Sequence, residues 1–204
     1  MGGDVVVKGT LRLLLVLVST PVVAGGDVEL IQAIQDMLER HPVMAGEFTQ
    51  ELHVEALSRP VSSQGRLYLL EDGGVAWYVD TPVTTSVFID ASGNTRMGTG
   101  YATPDLKWVT DITRALIAGD FDYLSRFFEV KGRVAGRGWS VELTPVGESL
   151  ASALERIVAQ GGSVVESLEV LTAAGDTVML YFSNVNAVDV LPDAVSADMR
   201  ALPE

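Results

Sequence analysis

The chain contains no cysteine in its 204 residues, and it contains only two histidines. Without cysteine the fold has no disulfide bonds, so its stability has to come from packing. The two histidines, His41 and His53, stand apart from each other, and the residue spacings typical of zinc sites do not occur. We therefore expect no metal and no cofactor.

Basic residues are also scarce, since 14 lysines and arginines face 27 aspartates and glutamates, which gives a net charge of −13. A surface of this sign repels the phosphates of nucleic acids and anionic lipid head groups. We expect no nucleic-acid partner.

Catalytic motifs are missing as well. The chain has no Gly-x-Ser-x-Gly elbow, no glycine-rich phosphate loop and no His-Glu-x-x-His. Asp111, Asp120 and Asp122 form a possible carboxylate group, but helix capping and solvent exposure explain them without chemistry. The sequence predicts that the protein is not an enzyme.

The N-terminal segment has the composition of an export signal. Lys8 and Arg12 precede an apolar run that starts at Leu13 and ends near Ala24. The run is shorter than the ~20 apolar residues of a membrane span, and a basic start with a small residue at its end is typical of a signal peptide. A buried strand or helix is the alternative. We interpret residues 1–24 as a signal peptide and residues 25–204 as a single domain.

Apolar residues alternate with polar ones from Glu47 onwards, which predicts antiparallel strands separated by short turns. Phe48, Leu52, Val54 and Ala56 share one face of the first strand. The Asp72-Gly73-Gly74 sequence predicts a tight hairpin turn. The expected strands are residues 47–56, 65–71, 75–79, 84–89, a short one near 96–97, 130–135, 139–143, 164–171 and 177–182.

Helical spacing is expected in residues 27–40, 111–117, 121–128 and 149–160, and no period is visible in the tail from Asn184. The pattern of about nine strands and three or four helices predicts an α+β fold, in which helices pack on one face of a large, curved, mostly antiparallel sheet. An ordinary core between sheet and helices and a partly open cleft for an apolar ligand both fit this pattern.

Several segments resemble a known family when they are taken in order. They are Gly46-Glu-Phe-Thr-Gln50, Gly65-Arg-Leu-Tyr-Leu69, Trp77 with Pro82, Ile89-Asp-Ala-Ser-Gly93 and Val141-Glu-Leu-Thr-Pro145. Together with the export signal, they resemble the periplasmic outer-membrane lipoprotein carriers of the LolA type. The resemblance extends from about Asp27 to Asn184.

This resemblance implies a half-open, curved antiparallel β-barrel whose concave face is covered by helices, with an apolar cavity for acyl chains between them. It implies a monomeric carrier in the periplasm. The implied partners are an acylated lipoprotein or other lipid cargo, an inner-membrane transporter of the ABC type or another lipid exporter, and an outer-membrane receptor that is itself a lipoprotein.

The resemblance, together with the alternation of apolar and polar residues along the strands, predicts a lipid-binding face. Its expected strand residues are Leu52, Val54, Leu67, Leu69, Val75, Trp77, Val79, Val87 and Ile89. The expected residues from the covering helices are Trp108, Ile112, Leu116 and Phe127.

Two departures limit the comparison. The family's arginine near the end of the second strand is missing, because that region reads Leu69-Leu70-Glu71-Asp72, and no extra strand is visible after Asn184. We therefore place the chain in a divergent LolA-related branch whose cargo is either a lipoprotein or a glycolipid or pigment lipid. A periplasmic sensor on the same fold is the alternative, and a membrane-anchored receptor would require a lipidated cysteine that the chain lacks.

Overall fold

A computed structural model of the chain describes residues 27–39, 41–91, 95–98 and 106–200, and for residues 27, 95, 106–110 and 113 it describes the backbone alone. The expected signal peptide, residues 1–24, lies outside the described residues, as does the end of the expected turn at 90–94. Of the helices found in these ranges, none combines the length and the hydropathy that a bilayer crossing requires.

The described residues form ten strands and five helices. The strands are β1 (Val43–His53), β2 (Val61–Leu70), β3 (Val75–Thr81), β4 (Thr85–Ile89), β5 (Thr95–Met97), β6 (Phe128–Ala135), β7 (Gly138–Pro145), β8 (Leu154–Gly161), β9 (Val165–Thr172) and β10 (Thr177–Ala187). The helices are α1 (Asp27–Met37), α2 (Leu106–Ala118), α3 (Phe121–Leu124), α4 (Glu148–Ala151) and α5 (Asp193–Arg200).

All ten strands belong to one antiparallel sheet in the order β5-β4-β3-β2-β1-β10-β9-β8-β7-β6. The sheet thus consists of two five-stranded meanders joined at its centre by the β1–β10 pair. The outer strands β5 and β6 do not pair with each other in this order, so the sheet is curved but not closed. α2 and α3 lie in the connection between these two edges.

One large apolar core fills the concave side of the sheet. It gathers buried residues from β1 to β4, β6 to β10 and the helices α1, α2 and α3. The fold class expected from the sequence, an open antiparallel sheet with helices on one face, is therefore confirmed.

The helix expected at residues 149–160 is wrong. Only Glu148–Ala151 is helical, and Leu154–Gly161 forms strand β8. The pairing of β8 with β9 shifts register between Leu154 and Arg156, so an extra residue separates two side chains that point into the same core. Leu154 and Ile157 are both buried, and their spacing of three imitates a helical stripe.

The tail expected to be irregular instead contains α5. Val195 and Met199 of this helix, with Leu191 just before it, pack on the convex side of the sheet against Ala76 and Phe88. The three side chains are four residues apart, which is a helical spacing, but the segment is too short and too polar for the period to stand out.

Several strand boundaries also differ from the expected ones. β1 begins at Val43 and not at Glu47, β2 begins at Val61 inside the predicted loop, and β10 continues to Ala187. The first strand ends at His53, so Val54 and Ala56 lie beyond it. Pairing with β1 and β10 orders the ends of these strands, and that pairing is invisible in a local pattern.

Candidate functional site

The floor of the apolar layer is built around three aromatic rings. Phe48 on β1 lies 4.3 Å from Trp77 on β3, centroid to centroid, and Trp77 lies 6.2 Å from Phe182 on β10 in an edge-to-face arrangement. β2 runs between β1 and β3, so Phe48 and Trp77 meet across it. This is possible because the residue of β2 beneath the Phe48 ring is Gly65, whose added Cβ would lie 2.8 Å from Phe48 Cε1.

The roof of the layer is formed by α1, α2 and α3. Their buried side chains are Leu30, Ile34, Leu38, Ile112, Ala115, Leu116, Phe121 and Leu124. Two hydrogen bonds hold the roof in place. The Gln35 side chain donates to the Gly119 carbonyl at the end of α2 (2.9 Å), and the Glu39 amide donates to the Ser163 carbonyl between β8 and β9 (2.8 Å).

The space between roof and floor is filled by the protein's own side chains. The cavity between α1, α2 and the central strands measures only about 10 Å³ and is lined by residues such as Leu38, Leu67, Ile117 and Phe182. Sites for small molecules usually measure about 300–1,000 Å³. The structure is therefore a closed form, in which the apolar layer has no room for an acyl chain.

A larger groove opens at one end of this layer. It has a volume of about 520 Å³ and lies between α2, α3 and the segment that joins β7 to α4. Its apolar lining comprises Ile112, Tyr123, Phe127, Phe128, Val146 and Leu150. Four of these six side chains belong to the core, namely Ile112, Tyr123, Phe128 and Leu150, so the groove is continuous with the apolar layer.

An arginine of the roof lies between a residue of the groove and the β2–β3 turn. Arg114 on α2 lies with its guanidinium carbon 5.7 Å from the centre of the Tyr123 ring. The arginine also reaches the β2–β3 turn, where an added Cβ at Gly73 would be 2.6 Å from Arg114 Nη1. Its Nε is buried and finds no hydrogen-bond partner among the described residues. Arg114 thus comes close to the end of β2, where the chain reads Leu69-Leu70-Glu71-Asp72 and has no arginine of its own.

The strand residues predicted for the lipid-binding face lie in three places. Leu67, Leu69, Val75, Trp77, Val79, Val87 and Ile89 all belong to the concave core. Leu52 lies opposite Val61 and Val178 near the end of β1 and is half-buried. Val54 follows the end of that strand and lines a separate surface depression near Leu57, so it is not part of the floor.

The residues predicted from the helices also differ in position. Ile112 and Leu116 are buried in the roof. Phe127 is 44% exposed and lies after α3, in the groove and not under a helix. The side chain of Trp108 lies outside the described part of the chain. Whether any of these residues binds lipid stays a prediction.

Sequence reasoning missed the other residues of the groove. Tyr123, Phe128, Val146 and Leu150 lie in three separate segments, which only the tertiary fold brings together. The adjacent pair Phe127-Phe128 was the available signal. In an alternating strand only one of two consecutive aromatic rings enters the core, and the second one is left at the surface.

The convex side carries the second, smaller core. Hydrogen bonds on this side and on the adjacent surface shift the pKa values of Tyr78 and Asp80. The Tyr78 hydroxyl donates to Asp198 on α5 (2.9 Å), and Arg96 donates to the Asp198 carbonyl (2.7 Å). Burial, the hydrogen bond to Asp198 and the charge of that carboxylate raise the pKa of Tyr78. On the adjacent surface Arg66 makes two hydrogen bonds to Asp80, which lower the pKa of that carboxyl.

No group of three or more potential metal ligands occurs in the described ranges. The carboxylates with resolved contacts serve structural roles. Asp120 accepts a hydrogen bond from the Tyr123 amide and caps α3, in agreement with the capping role considered for it from the sequence. The expectation that the protein is not an enzyme stays a prediction.

Solved structures with low sequence identity are similar to this chain. No protein-family model and no curated protein sequence matches the chain. The structure of MucB is similar with a TM-score of 0.51 at 14% identity, over 83% of this chain and 62% of MucB.

Looser similarities include a LolA superfamily protein from Nitrosomonas europaea. Its TM-score is 0.43 at 8% identity, over 82% of this chain and 96% of that protein. A DUF1329 family protein from Desulfovibrio piger has a TM-score of 0.42 at 11% identity, over 80% and 93% of the two chains. The likeness to MucB is one of fold alone, and it agrees with the open ten-stranded sheet.

Proposed function

We propose that this chain is a divergent member of the LolA-type carriers that shields the acyl chains of a lipidated cargo in the periplasm. The observation that supports the proposal most directly is the continuity of the concave apolar core with the exposed groove at Phe127 and Val146. A groove of about 520 Å³ lies within the usual range for small-molecule sites.

The physical need for such a carrier follows from the cost of exposing acyl chains to water. Each methylene that is buried contributes about 0.8 kcal/mol, so a multiply acylated molecule does not cross an aqueous compartment by itself. In this proposal the cargo leaves an inner-membrane exporter on the carrier and reaches an outer-membrane receptor lipoprotein. The cargo is a lipoprotein or a glycolipid.

Loading requires the roof to move, because the interior of the closed form is filled. The first part of an acyl chain enters the groove beside Ile112 and Phe127. Further methylenes are accommodated when α2 moves away from the floor and Leu116 gives up its place to the ligand. Displaced core contacts are replaced by ligand contacts of the same apolar kind, so the exchange has a small net cost, and release of the cargo remains possible.

The function is tested by ligand identification and by a matched pair of variants. The mature protein is purified from its native periplasm, and bound lipid is identified by mass spectrometry. A fluorescent fatty-acyl probe is then titrated into the wild type, Phe127→Asp and Val190→Asp. Phe127 lies in the groove, whereas Val190 is equally a surface residue, at 76% exposure, but lies after β10 at the other end of the sheet.

We expect Phe127→Asp to weaken probe binding about tenfold or more, because a charged group replaces an apolar contact of the size of a phenylalanine. Val190→Asp should bind like the wild type. A wild-type protein that carries no lipid and does not bind the probe would contradict the carrier function. Equal losses in the two variants would show that the groove is not the binding site.

A further inference from the structure

Several loops and strand ends lie at one end of the sheet, as the strand registers show. Leu52 pairs with Val61 beside the β1–β2 loop, and Val79 pairs with Thr85 beside the β3–β4 loop. At the far side of the sheet Phe128 pairs with Pro145. The registers of β10 with β1 and β9, and of β8 with β7 and β9, show that the corresponding ends of the central strands lie at this same end of the sheet.

This end carries most of the exposed large apolar side chains. Five of the eight that are found in the described ranges lie here, and we call them the apolar rim: Leu57 (51% exposed), Val61 (47%), Val83 (62%), Phe127 (44%) and Val146 (63%). Exposed apolar side chains that occur singly are ordinary. Their concentration at one end, from the β1–β2 connection, the β3–β4 loop and the neighbouring Phe127 and Val146, is what requires an explanation.

Cations accompany the apolar rim in a chain that is otherwise strongly acidic. Arg59 follows Leu57 by two residues, Arg126 precedes Phe127, and both arginines are exposed. Carboxylates are also present at this end. Two of them have structural contacts, since Asp80 binds Arg66 and Asp176 accepts a hydrogen bond from the Glu55 amide. Glu55, Glu148 and Glu155 also lie at this end and face solvent, and Asp111 lines the groove.

We infer that the apolar rim contacts the surface of a phospholipid bilayer. Its exposed side chains come from three places along one end of the sheet, and a fluid acyl layer accommodates such separate contacts without a complementary surface. Apolar side chains that enter the boundary between head groups and acyl chains, with arginines at the level of the phosphates, are the two components of interfacial binding.

The inference rests on the proposed carrier function for its biological purpose. The groove that contains Phe127 and Val146 opens at the same rim, so a bilayer in contact with the rim would face the mouth of the groove. An acyl chain could then pass from the bilayer into the groove without crossing water. Shallow interfacial contact of this kind is reversible.

The test measures binding to protein-free vesicles of phosphatidylethanolamine with a minority of phosphatidylglycerol. Wild type is compared by sedimentation with a rim variant, Leu57→Asp with Val83→Asp. The control variant, Tyr181→Asp with Val190→Asp, makes the same change of charge at two exposed apolar residues away from the rim. We expect the rim variant to bind vesicles about tenfold more weakly and the control variant to bind like the wild type.

An environment-sensitive dye gives a second readout, and the absence of native cysteine makes the labelling specific. A dye on Val83→Cys should shift to shorter wavelength when vesicles are added, whereas a dye on Val190→Cys should not. Wild-type protein that fails to bind vesicles, or equal losses in both double variants, would overturn the inference. Binding to a membrane protein but not to lipid vesicles would overturn it too, in favour of a docking protein.

The fatty-acyl probe, measured in solution on the same variants, separates this inference from the carrier function. Leu57 and Val83 are not part of the groove, so the rim variant should keep its affinity for the probe. Probe binding without vesicle binding would leave the carrier function intact and reject the rim. Vesicle binding without probe binding would support the contact of the rim with the bilayer and would contradict the carrier function.

Discussion

At Gly65 the strand β2 passes so close to its neighbours that a side chain has no room. An added Cβ would overlap the Tyr78 carbonyl oxygen and would lie 2.8 Å and 2.9 Å from two atoms of the Phe48 ring. Gly138, at the start of β7, is a strand glycine in ordinary surroundings, because its added Cβ would find nothing closer than 3.6 Å. Gly65 and Gly138 therefore serve as a test position and its matched control.

We predict that Gly65→Ala lowers the free energy of unfolding by roughly 1–3 kcal/mol, since overpacking forces the ring or the backbone to move. Gly138→Ala should change it by less than about 0.5 kcal/mol. Urea denaturation followed by circular dichroism measures both values. Similar stabilities of the two variants would show that the close approach of β2 to the Phe48 ring is not present in solution.

At the scale of a single element, α5 is held on the convex face by apolar and polar contacts. Val195 is buried against Phe88, and Asp198 accepts the hydrogen bond of the Tyr78 hydroxyl. The pKa of Tyr78 is raised above its ordinary value of 10.0. The folded state therefore favours the protonated phenol, and this contribution to stability is complete below the ordinary pKa and is lost as the pH rises above it.

We predict that Tyr78→Phe lowers the free energy of unfolding by about 1 kcal/mol at neutral pH, through loss of this hydrogen bond. Above about pH 10 the wild type should lose more stability than the variant, because the unfolded wild type is stabilised by ionising Tyr78 while the folded form keeps this half-buried phenol protonated. The other tyrosines are common to both proteins and cancel in the comparison. Denaturation curves that fall in parallel over this range would contradict the role assigned to Tyr78.

At the scale of the whole molecule, the sheet is open and its two edges are bridged by the roof helices. α2 lies between the edges and contacts the β2–β3 turn through Arg114. Ala118 at the end of α2 and Glu71 in the turn line the same small cavity of about 70 Å³. Both residues are exposed, so labels at these positions would report the distance between roof and sheet without disturbing the core.

We predict that the distance between spin labels on Glu71→Cys and Ala118→Cys increases when a fatty-acyl ligand is added, because the filled interior admits the ligand only if α2 moves. A control pair, Glu142→Cys on β7 and Glu166→Cys on β9, lies within the sheet and should keep its distance. Electron paramagnetic resonance measures both pairs. Ligand binding without a change in the distance of the first pair would show that α2 does not move and that the ligand stays in the groove.

Much of the floor followed from local pattern. In β2, β3 and β4 the alternation of apolar and polar residues placed seven predicted residues on one face, because the side-chain period of a strand is two and the hairpin turn at Asp72–Gly74 sets the register. The helical period likewise identified Ile112 and Leu116. Local pattern did not reveal β8, because its bulge gives Leu154 and Ile157 a helical spacing, and it did not reveal α5, whose apolar stripe is only three side chains long.

The sequence by itself determined which side chains are apolar, in what alternation, and hence that one face of an open antiparallel sheet would be covered by helices. Only the tertiary structure decided that the covered face is full and that the space for a ligand lies in the groove between α2, α3 and the β7–α4 segment. The physical reason is that a periodic pattern in the sequence reflects only the local structure of residues that are close together in the chain. The filled core, the groove and the apolar rim depend on how the two meanders curve towards each other across the β1–β10 pair.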